Sequence, residues 1–191
     1  MKAFAYDALP GRVVFEAGAS RDRLAEELQS LGVKRVLLIS TEQGQRLAKD
    51  LAAPLGELLA GHCTEVRPHV PIEIARRARQ AASEVGADCL LSIGGGSTTG
   101  TAKAIALETG TPIVAVPTTY AGSEMTPVWG ITQAQRKTTG RAPHVQPKVV
   151  IYDPELTFSL PPSISGPSAM NALAHCVEAF YATGGQPHHL T

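Results

Sequence analysis

The chain lacks an excess of charge of either sign. Its 17 lysine and arginine residues balance 17 aspartate and glutamate residues, so the formal net charge at pH 7 is zero. Proteins that hold nucleic acid through its phosphates need a basic surface. The charge balance therefore predicts no nucleic-acid partner.

Long apolar runs and paired cysteines are missing as well. No stretch approaches the roughly 18 apolar residues of a membrane-spanning helix, and residues 1–10 hold no apolar signal core. The three cysteines, Cys63, Cys89 and Cys176, stand far apart without a C-x-x-C pair, which argues against a disulfide framework or a thiolate zinc site. We therefore expect a cytoplasmic protein that does not act at a membrane.

Aromatic residues are few, at 5% of the chain, although hydrophobic residues together make up 43%. This is the composition of a globular protein with mainly aliphatic packing. A chain of 191 residues can bury one core of ordinary size but hardly two. We expect one domain and part of a second.

Short apolar runs of strand length alternate with helical periodicity along most of the chain. Strands are predicted at 13–15, 35–40, 62–67, 89–93, 113–116 and 149–152. The first predicted helix is capped by Ser20 and buries Leu24, Leu28 and Leu31. Runs that are apolar on both faces are typical of parallel strands. The pattern predicts an α/β fold, a Rossmann-like parallel sheet with helices on both faces.

Two later segments depart from this alternation. Residues 118–148 include a polar stretch at 133–141 that predicts a hairpin or a loop. After the breaker Leu160-Pro161-Pro162, Ser163 or Ser165 is a candidate cap for a helix that reaches residue 181 or 182. We place a domain boundary between residues 162 and 163.

The strongest candidate ligand site is Gly94-Gly95-Gly96-Ser97-Thr98, which lies between a predicted strand and a predicted helix. Glycines there let a phosphate approach the backbone, and a helix N-terminus favours an anion. The segment matches neither the Walker motif, because Thr101 follows Gly100, nor G-x-G-x-x-G. The alternative is a tight turn that binds nothing.

A hydroxyl-rich loop at 117–126 follows the next predicted strand and contains Thr118 and Thr119. Ligands bind at the carboxyl ends of parallel strands, so two such loops side by side would form a cleft. The alternative is an ordinary loop rich in serine and threonine, with local hydrogen bonds only.

Asn171 and His175 are four residues apart, so they share one face of the last predicted helix. Together they could orient a ligand, a metal or a substrate carbonyl, although a lone helical histidine is more often structural. We assign no role to His188 and His189, which follow a stretch rich in glycine.

Six motifs occur in order along the chain: GGGSTTGTAKAIA, PTTYAGSEMTPVWGIT, RKTTGR, VVIYDPELT, LPP and SAMNALAHCVEAFYA. Together they resemble the maleylacetate reductases, a family within the iron-containing alcohol dehydrogenase superfamily. The resemblance spans nearly all of residues 1–182. It implies a dinucleotide-binding α/β domain at 1–162, followed at 163–191 by the first helix and irregular tail of a truncated all-α domain.

The resemblance implies reduction of maleylacetate to 3-oxoadipate by NADH or NADPH, in aromatic-compound degradation. The residues that it assigns to the cofactor are Gly94, Gly95, Gly96, Ser97, Thr118, Thr119 and Lys137. The first four would bind the pyrophosphate, and the two threonines would lie beside the nicotinamide. Thr41 stands where an acidic residue would bind the adenosine ribose, so we expect NADPH to be accepted as well as NADH.

The resemblance also implies a substrate site. Metal-dependent relatives have Asp at the position of Asn171 and His at that of His175, and two further histidines complete their site. An amide is a weak, uncharged metal ligand, so we expect no metal here. His175 is our candidate for polarising or protonating the substrate oxygen. Asn171 and Arg141 are candidates for binding the dicarboxylate.

Two alternatives remain beside a reductase. One is a metal-dependent relative of the alcohol or glycerol dehydrogenases, which would need bound iron or zinc. The other is a nucleotide-binding fragment without enzyme activity, because members of the family continue with a long helical domain. The resemblance implies a homodimer for full-length members.

Overall fold

A computed structural model of the chain describes residues 11–181. Its strands are β1 (Arg12–Phe15), β2 (Val36–Ile39), β3 (Leu59–Cys63), β4 (Cys89–Gly94), β5 (Ile113–Pro117), β6 (Val128–Gln133), β7 (Arg136–Arg141) and β8 (Val149–Tyr152). Its α-helices are α1 (Ala19–Asp22), α2 (Leu24–Ser30), α3 (Gln45–Ala52), α4 (Ile72–Glu84), α5 (Gly96–Thr109) and α6 (Pro162–Tyr181).

Six of the strands form one parallel sheet in the order β1-β8-β5-β4-β2-β3. Side chains alternate between its faces: Val36 and Leu38 of β2 join one buried cluster, and Leu37 and Ile39 join another. Helices α2 and α3 cover the first cluster, whereas α4 and α5 cover the second. The predicted α/β fold with helices on both faces is confirmed.

Asp153, directly after β8, connects the sheet to the start of α1. Its carboxylate accepts hydrogen bonds from the N–H groups of Gly18, Ser20 and Glu155 and from the Ser20 hydroxyl. Burial acts to raise the pKa of Asp153, but these hydrogen bonds outweigh it and hold the pKa below its ordinary value. The prediction that Ser20 caps the helix is wrong, because α1 begins at Ala19 and Ser20 binds Asp153 instead.

Two other predicted elements differ from the structure. The helix expected to bury Leu31 ends at Ser30, and Leu31 is 37% exposed because it lies beyond α2. The strand expected at 62–67 lies at 59–63, because β3 pairs with β2 from Leu59 to Cys63.

The polar stretch after β5 forms an antiparallel hairpin of β6 and β7. Ala134 and Gln135 make its two-residue turn, with φ values of 46° and 63°. Positive φ at both central residues is what a type I′ turn requires. Of the hairpin and the loop predicted for this stretch, the hairpin is confirmed.

Helix α6 begins at Pro162, so neither Ser163 nor Ser165 caps it as predicted. Proline suits the first helical position because its φ is fixed and its missing N–H would be unpaired there. The apolar side chains of Leu173 and Val177 on α6 are more than half exposed. No helix within residues 11–181 is long and apolar enough to cross a membrane. The tail with the two histidines lies outside the described residues.

Candidate functional site

The glycine loop (residues 94–98) and the hydroxyl-rich loop (residues 117–126) begin side by side at the carboxyl edge of the sheet. Gly94 at the end of β4 pairs with Pro117 at the end of β5. The N–H of Thr118 donates to the carbonyl of Gly94 at 3.0 Å, which joins the two loops. The two sides of the expected cleft are therefore in contact.

The surroundings of Gly94 suit glycine alone, and those of Gly95 leave little room for a side chain. Gly94 has a φ of 152°, and a Cβ there would lie 2.5 Å from Thr98 Oγ1. A Cβ on Gly95 would lie 3.1 Å from the Thr119 side chain. Gly95 precedes α5 without a side-chain cap, so the first N–H groups of this 14-residue helix lack partners within it. These groups favour an anion.

A cavity of about 430 Å³, the glycine-loop cavity, opens beside the first turns of α5. Its lining includes Gly96, Ser97, Gly100, Ser123, Thr126 and Lys137. Trp129, the only tryptophan of the chain, lines it as well. Three of the predicted cofactor residues therefore meet around one cavity. The helix N-terminus, hydroxyl groups and exposed ammonium group suit a ligand that carries phosphate.

Lys103 also lines the glycine-loop cavity, yet it is only 1% exposed. Its Nζ donates to the carbonyl oxygens of Ser123 (2.6 Å), Thr126 (2.6 Å) and Val128 (2.8 Å). Burial lowers the pKa of Lys103 to about 8, although the Glu124 carboxylate opposes this change. Our sequence reasoning missed this residue. The sequence does contain a signal for Lys103, because it is the one charged side chain in the segment GSTTGTAKAIAL, whose other residues are small, apolar or hydroxyl-bearing.

A second cavity of about 350 Å³, the Tyr152 cavity, is lined by residues of β1, β8 and the hydroxyl-rich loop. Thr119, predicted to lie beside the nicotinamide, is one of them. The Tyr152 hydroxyl donates to Glu124 Oε1 at 2.8 Å, and burial together with this carboxylate raises the pKa of Tyr152. Asp153 lines the cavity too, so its ionisable groups are largely acidic.

Two more predicted cofactor residues lie at the same edge of the sheet. Thr118 follows β5, and Thr41 follows β2. The Thr41 hydroxyl accepts a hydrogen bond from the N–H of Gly44 at 3.0 Å. Next to Thr41, the Glu42 carboxylate lies 3.6 Å from the Arg67 guanidinium. Neither threonine is among the residues that line the two cavities.

The predicted substrate residues are separate from both cavities. Arg141 is exposed at the end of β7, and Asn171 and His175 are exposed on α6. The His175 Nδ1 atom lies 3.5 Å from the Glu178 carboxylate. None of the three lines either cavity. Their roles stay predictions.

The described residues do not form a metal site by themselves. Iron and zinc sites bring together three or four His, Cys, Asp or Glu side chains. Among residues 11–181, no three such side chains come together. At the predicted position, α6 offers the imidazole of His175 and the amide of Asn171, and an amide is a weak ligand.

The parallel sheet with helices on both faces, together with the glycine loop and cavity at its carboxyl edge, defines an α/β protein of the Rossmann-like class. Residues 10–154 match the model of the iron-containing alcohol dehydrogenase family, and the chain belongs to this family. The resemblance inferred from the six motifs is thereby confirmed. The family description names iron, which does not agree with our expectation that no metal takes part.

The maleylacetate reductase of Burkholderia cepacia is 50% identical over 187 residues, which are 98% of this chain and 53% of that protein. The crystal structure of maleylacetate reductase from Agrobacterium tumefaciens, at 50% identity, has a TM-score of 0.94 and covers 98% of this chain and 53% of its own. Sulfoacetaldehyde reductase from Bifidobacterium kashiwanohense, solved with NAD+, has a TM-score of 0.87 over 97% of this chain and 56% of its own; its 24% identity establishes the fold alone. The chain spans about half the length of these relatives.

Proposed function

We propose that the chain is the cofactor-binding part of a maleylacetate reductase, which reduces maleylacetate to 3-oxoadipate with NADH or NADPH. The observation that carries this proposal is the 50% identity to the Burkholderia cepacia maleylacetate reductase over 98% of the chain. Asn171 supports it, because the motif resemblance gives the reductases Asn where metal-dependent relatives have Asp. The domain boundary at residues 162 and 163 is part of the proposal.

The cofactor residues divide between the two loops. Gly94, Gly95, Gly96 and Ser97 would bind the pyrophosphate through the N–H groups at the start of α5. Lys137 would offset phosphate charge across the glycine-loop cavity. Thr118 and Thr119 would lie beside the nicotinamide, which supplies a hydride when the reduced cofactor is bound.

The product differs from the substrate by one hydride and one proton. Hydride addition to a carbon–carbon double bond conjugated with a ketone places negative charge on the ketone oxygen, as an enolate. A residue must stabilise that charge and supply the proton that completes the reduction. We assign this role to His175, and we assign the binding of the substrate carboxylates to Asn171 and Arg141.

We propose that NADPH is accepted as well as NADH. The residue after β2 and Ser40 is Thr41, and the carboxylate of Glu42 is offset by Arg67 at 3.6 Å. A 2′-phosphate would therefore meet no unpaired carboxylate at this strand end. Titrations with each cofactor, followed by Trp129 fluorescence, test this. Discrimination against NADPH above about a hundredfold, roughly 2.7 kcal/mol, would contradict it.

The cofactor site is tested with Gly95→Ala. Its Cβ would lie 3.1 Å from the Thr119 side chain, so the glycine loop or the hydroxyl-rich loop would have to shift next to the start of α5. We expect NADH binding to weaken by more than about tenfold, or about 1.4 kcal/mol. Gly110→Ala is the matched control, because Gly110 is at the other end of α5 with open space around its Cβ position. Equal dissociation constants for the two variants would count against the proposed site.

The reaction is tested in a chimera that joins residues 1–181 to the remaining part of the Burkholderia cepacia relative. We expect one reduced nicotinamide to be consumed for each maleylacetate. His175→Ala should lower kcat by about 10² to 10⁴-fold, the usual contribution of a general acid. Cys176→Ala, an exposed neighbour on α6, should leave kcat unchanged. A chimera that binds NADH but does not reduce maleylacetate would refute the substrate assignment.

The family description favours a second candidate, an iron-dependent alcohol dehydrogenase. Elemental analysis of the chimera, purified without chelator, separates the two. Stoichiometric iron that is lost in His175→Ala, together with alcohol oxidation, would support the dehydrogenase. A metal-free chimera that reduces maleylacetate would support the reductase.

The 191-residue polypeptide alone is the third case, a nucleotide-binding unit without turnover. Leu173, Val177 and Phe180 on α6 are each more than half exposed, so we expect this polypeptide to self-associate. We also expect weak cofactor binding and no measurable reduction of maleylacetate. A rate close to that of the chimera would contradict this expectation.

We further propose a cytoplasmic location and a homodimer for the complete enzyme. Cys63, Cys89 and Cys176 are all free thiols, as is usual in a reducing compartment. Size-exclusion chromatography of the chimera tests the homodimer.

A further inference from the structure

Lys103 connects α5 to residues 123–128, which we call the wall segment because they contribute to the lining of the glycine-loop cavity. Carbonyl oxygens of Ser123, Thr126 and Val128 accept hydrogen bonds from Nζ at 2.6, 2.6 and 2.8 Å. The Thr126 hydroxyl, at 3.3 Å, is a longer fourth contact. One side chain therefore fixes the backbone of the wall segment at three points.

These contacts depend on the charge of Lys103. An ammonium group has three N–H donors and can serve three carbonyl oxygens. A neutral amine has two donors and a lone pair, so one carbonyl would lose its partner and face that lone pair. The remaining hydrogen bonds would also lose the strength that the positive charge gives them.

The wall segment carries a hydroxyl group without a partner. Ser123 Oγ is buried and has no hydrogen-bond partner among the described residues, although Ser123 lines the glycine-loop cavity. A Cβ added to Gly96 would lie 3.9 Å from this oxygen, so Ser123 Oγ lies close to the N-terminus of α5. A buried, unpaired hydroxyl at this place is available to a ligand.

We propose that Lys103 is a positioning residue for the cofactor, because it fixes the wall segment so that Ser123 Oγ can donate to a phosphate oxygen of the bound dinucleotide. The inference rests on the proposed function, which provides the dinucleotide. Lys103 does not itself bind the cofactor, since its Nζ donates to three carbonyl oxygens.

A pH dependence follows from this arrangement. His69 and Lys137 line the cavity together with Lys103, and Glu124 lies within the wall segment. Burial lowers the pKa of Lys103 to about 8, despite the opposing effect of Glu124. The protonated form binds the dinucleotide more tightly, so the affinity falls as the pH rises through about 8.

The experiment measures the dissociation constant for NADH at about pH 6.5 and about pH 9.5, on either side of the Lys103 pKa, by energy transfer from Trp129. If the wall segment adopts its binding conformation about a tenth of the time when Lys103 is neutral, the wild-type affinity for NADH falls about tenfold between the lower and the higher pH. Lys103→Met should show the weaker affinity at both pH values. Ile105→Val, buried on the same helix, is the matched control and should keep the wild-type pH profile.

Ser123→Ala tests the hydroxyl group directly and should weaken NADH binding at the lower pH. If circular dichroism shows that Lys103→Met does not fold, the wild-type profile and Ser123→Ala decide the question. Wild-type affinity that is constant with pH, or unchanged affinity in Ser123→Ala, overturns the inference and leaves the proposed function standing. A wild-type protein that binds no NADH at either pH overturns the proposed function, and the inference with it.

Discussion

Gly94→Ala should destabilise the domain through backbone strain and through a steric overlap. The φ of 152° lies where side-chain-bearing residues are rare, and such strain costs on the order of 1–3 kcal/mol. The new Cβ would lie 2.5 Å from Oγ1 of Thr98, which is fully buried, and overpacking of this kind costs about 1–3 kcal/mol. Alanine also restricts the unfolded chain, which offsets about 0.4–1 kcal/mol. The free energy of unfolding should therefore fall by about 3 kcal/mol.

Urea denaturation followed by circular dichroism measures this free energy. Gly110→Ala is the control for strain alone, because Gly110 has a φ of 69° with nothing near its Cβ position, and it should lose only about 1 kcal/mol. Adding Thr98→Ala to Gly94→Ala removes the overlapping atoms and should restore part of the difference. A loss in Gly94→Ala no larger than that in Gly110→Ala would refute the reasoning.

Two further predictions concern ionisable groups. The lowered pKa of Asp153 gives stability that is present above the ordinary carboxylate pKa of about 3.9 and is lost as the pH falls through the lowered value. Asp153→Asn should therefore be less stable than the wild type at neutral pH, and its stability should change less as the pH falls into the acid range. Urea midpoints of the variant that change with pH as much as those of the wild type would contradict this. Burial raises the pKa of Cys89 to about 12 and also raises that of Cys63, whereas Cys176 is exposed. A thiol reagent at neutral pH should then modify one thiol per native chain and none in Cys176→Ala; rapid reaction of a second thiol would show the burial argument to be wrong.

The central strands were predictable because their sequences meet both faces of the sheet with apolar side chains. β2 and β5 are fully buried. Their runs VLLI and IVAVP are apolar at every position, and this local pattern is enough to predict a buried strand. β3 reads LAGHC and is mostly half-buried, so its position is set by pairing with β2 rather than by its own side chains. This is why its predicted bounds were wrong.

The candidate site also has one part that local sequence predicts and another that depends on contacts between distant residues. The glycine loop was predictable because a strand, glycines and a helix follow one another directly in sequence. The Lys103 contacts join residues 20 to 25 positions apart, and the bond between Ser20 and Asp153 spans 133 positions. No local pattern encodes such contacts, because they depend on how α5, the wall segment and β8 pack in three dimensions. The placement of Asn171 and His175 relative to a substrate stays a prediction for the same reason.

The pairing of the first strand with the last has a consequence for biosynthesis. β1 is synthesised early, but its partner in the described sheet is β8, with Arg12 opposite Val149. At about 5–20 residues per second, a ribosome needs roughly seven to twenty-seven seconds to reach that partner. During this delay β1 presents an unpaired backbone edge together with Phe15, which stays 73% exposed even in the finished sheet. We therefore expect this strand to join the sheet only after Val149–Tyr152 has left the ribosome.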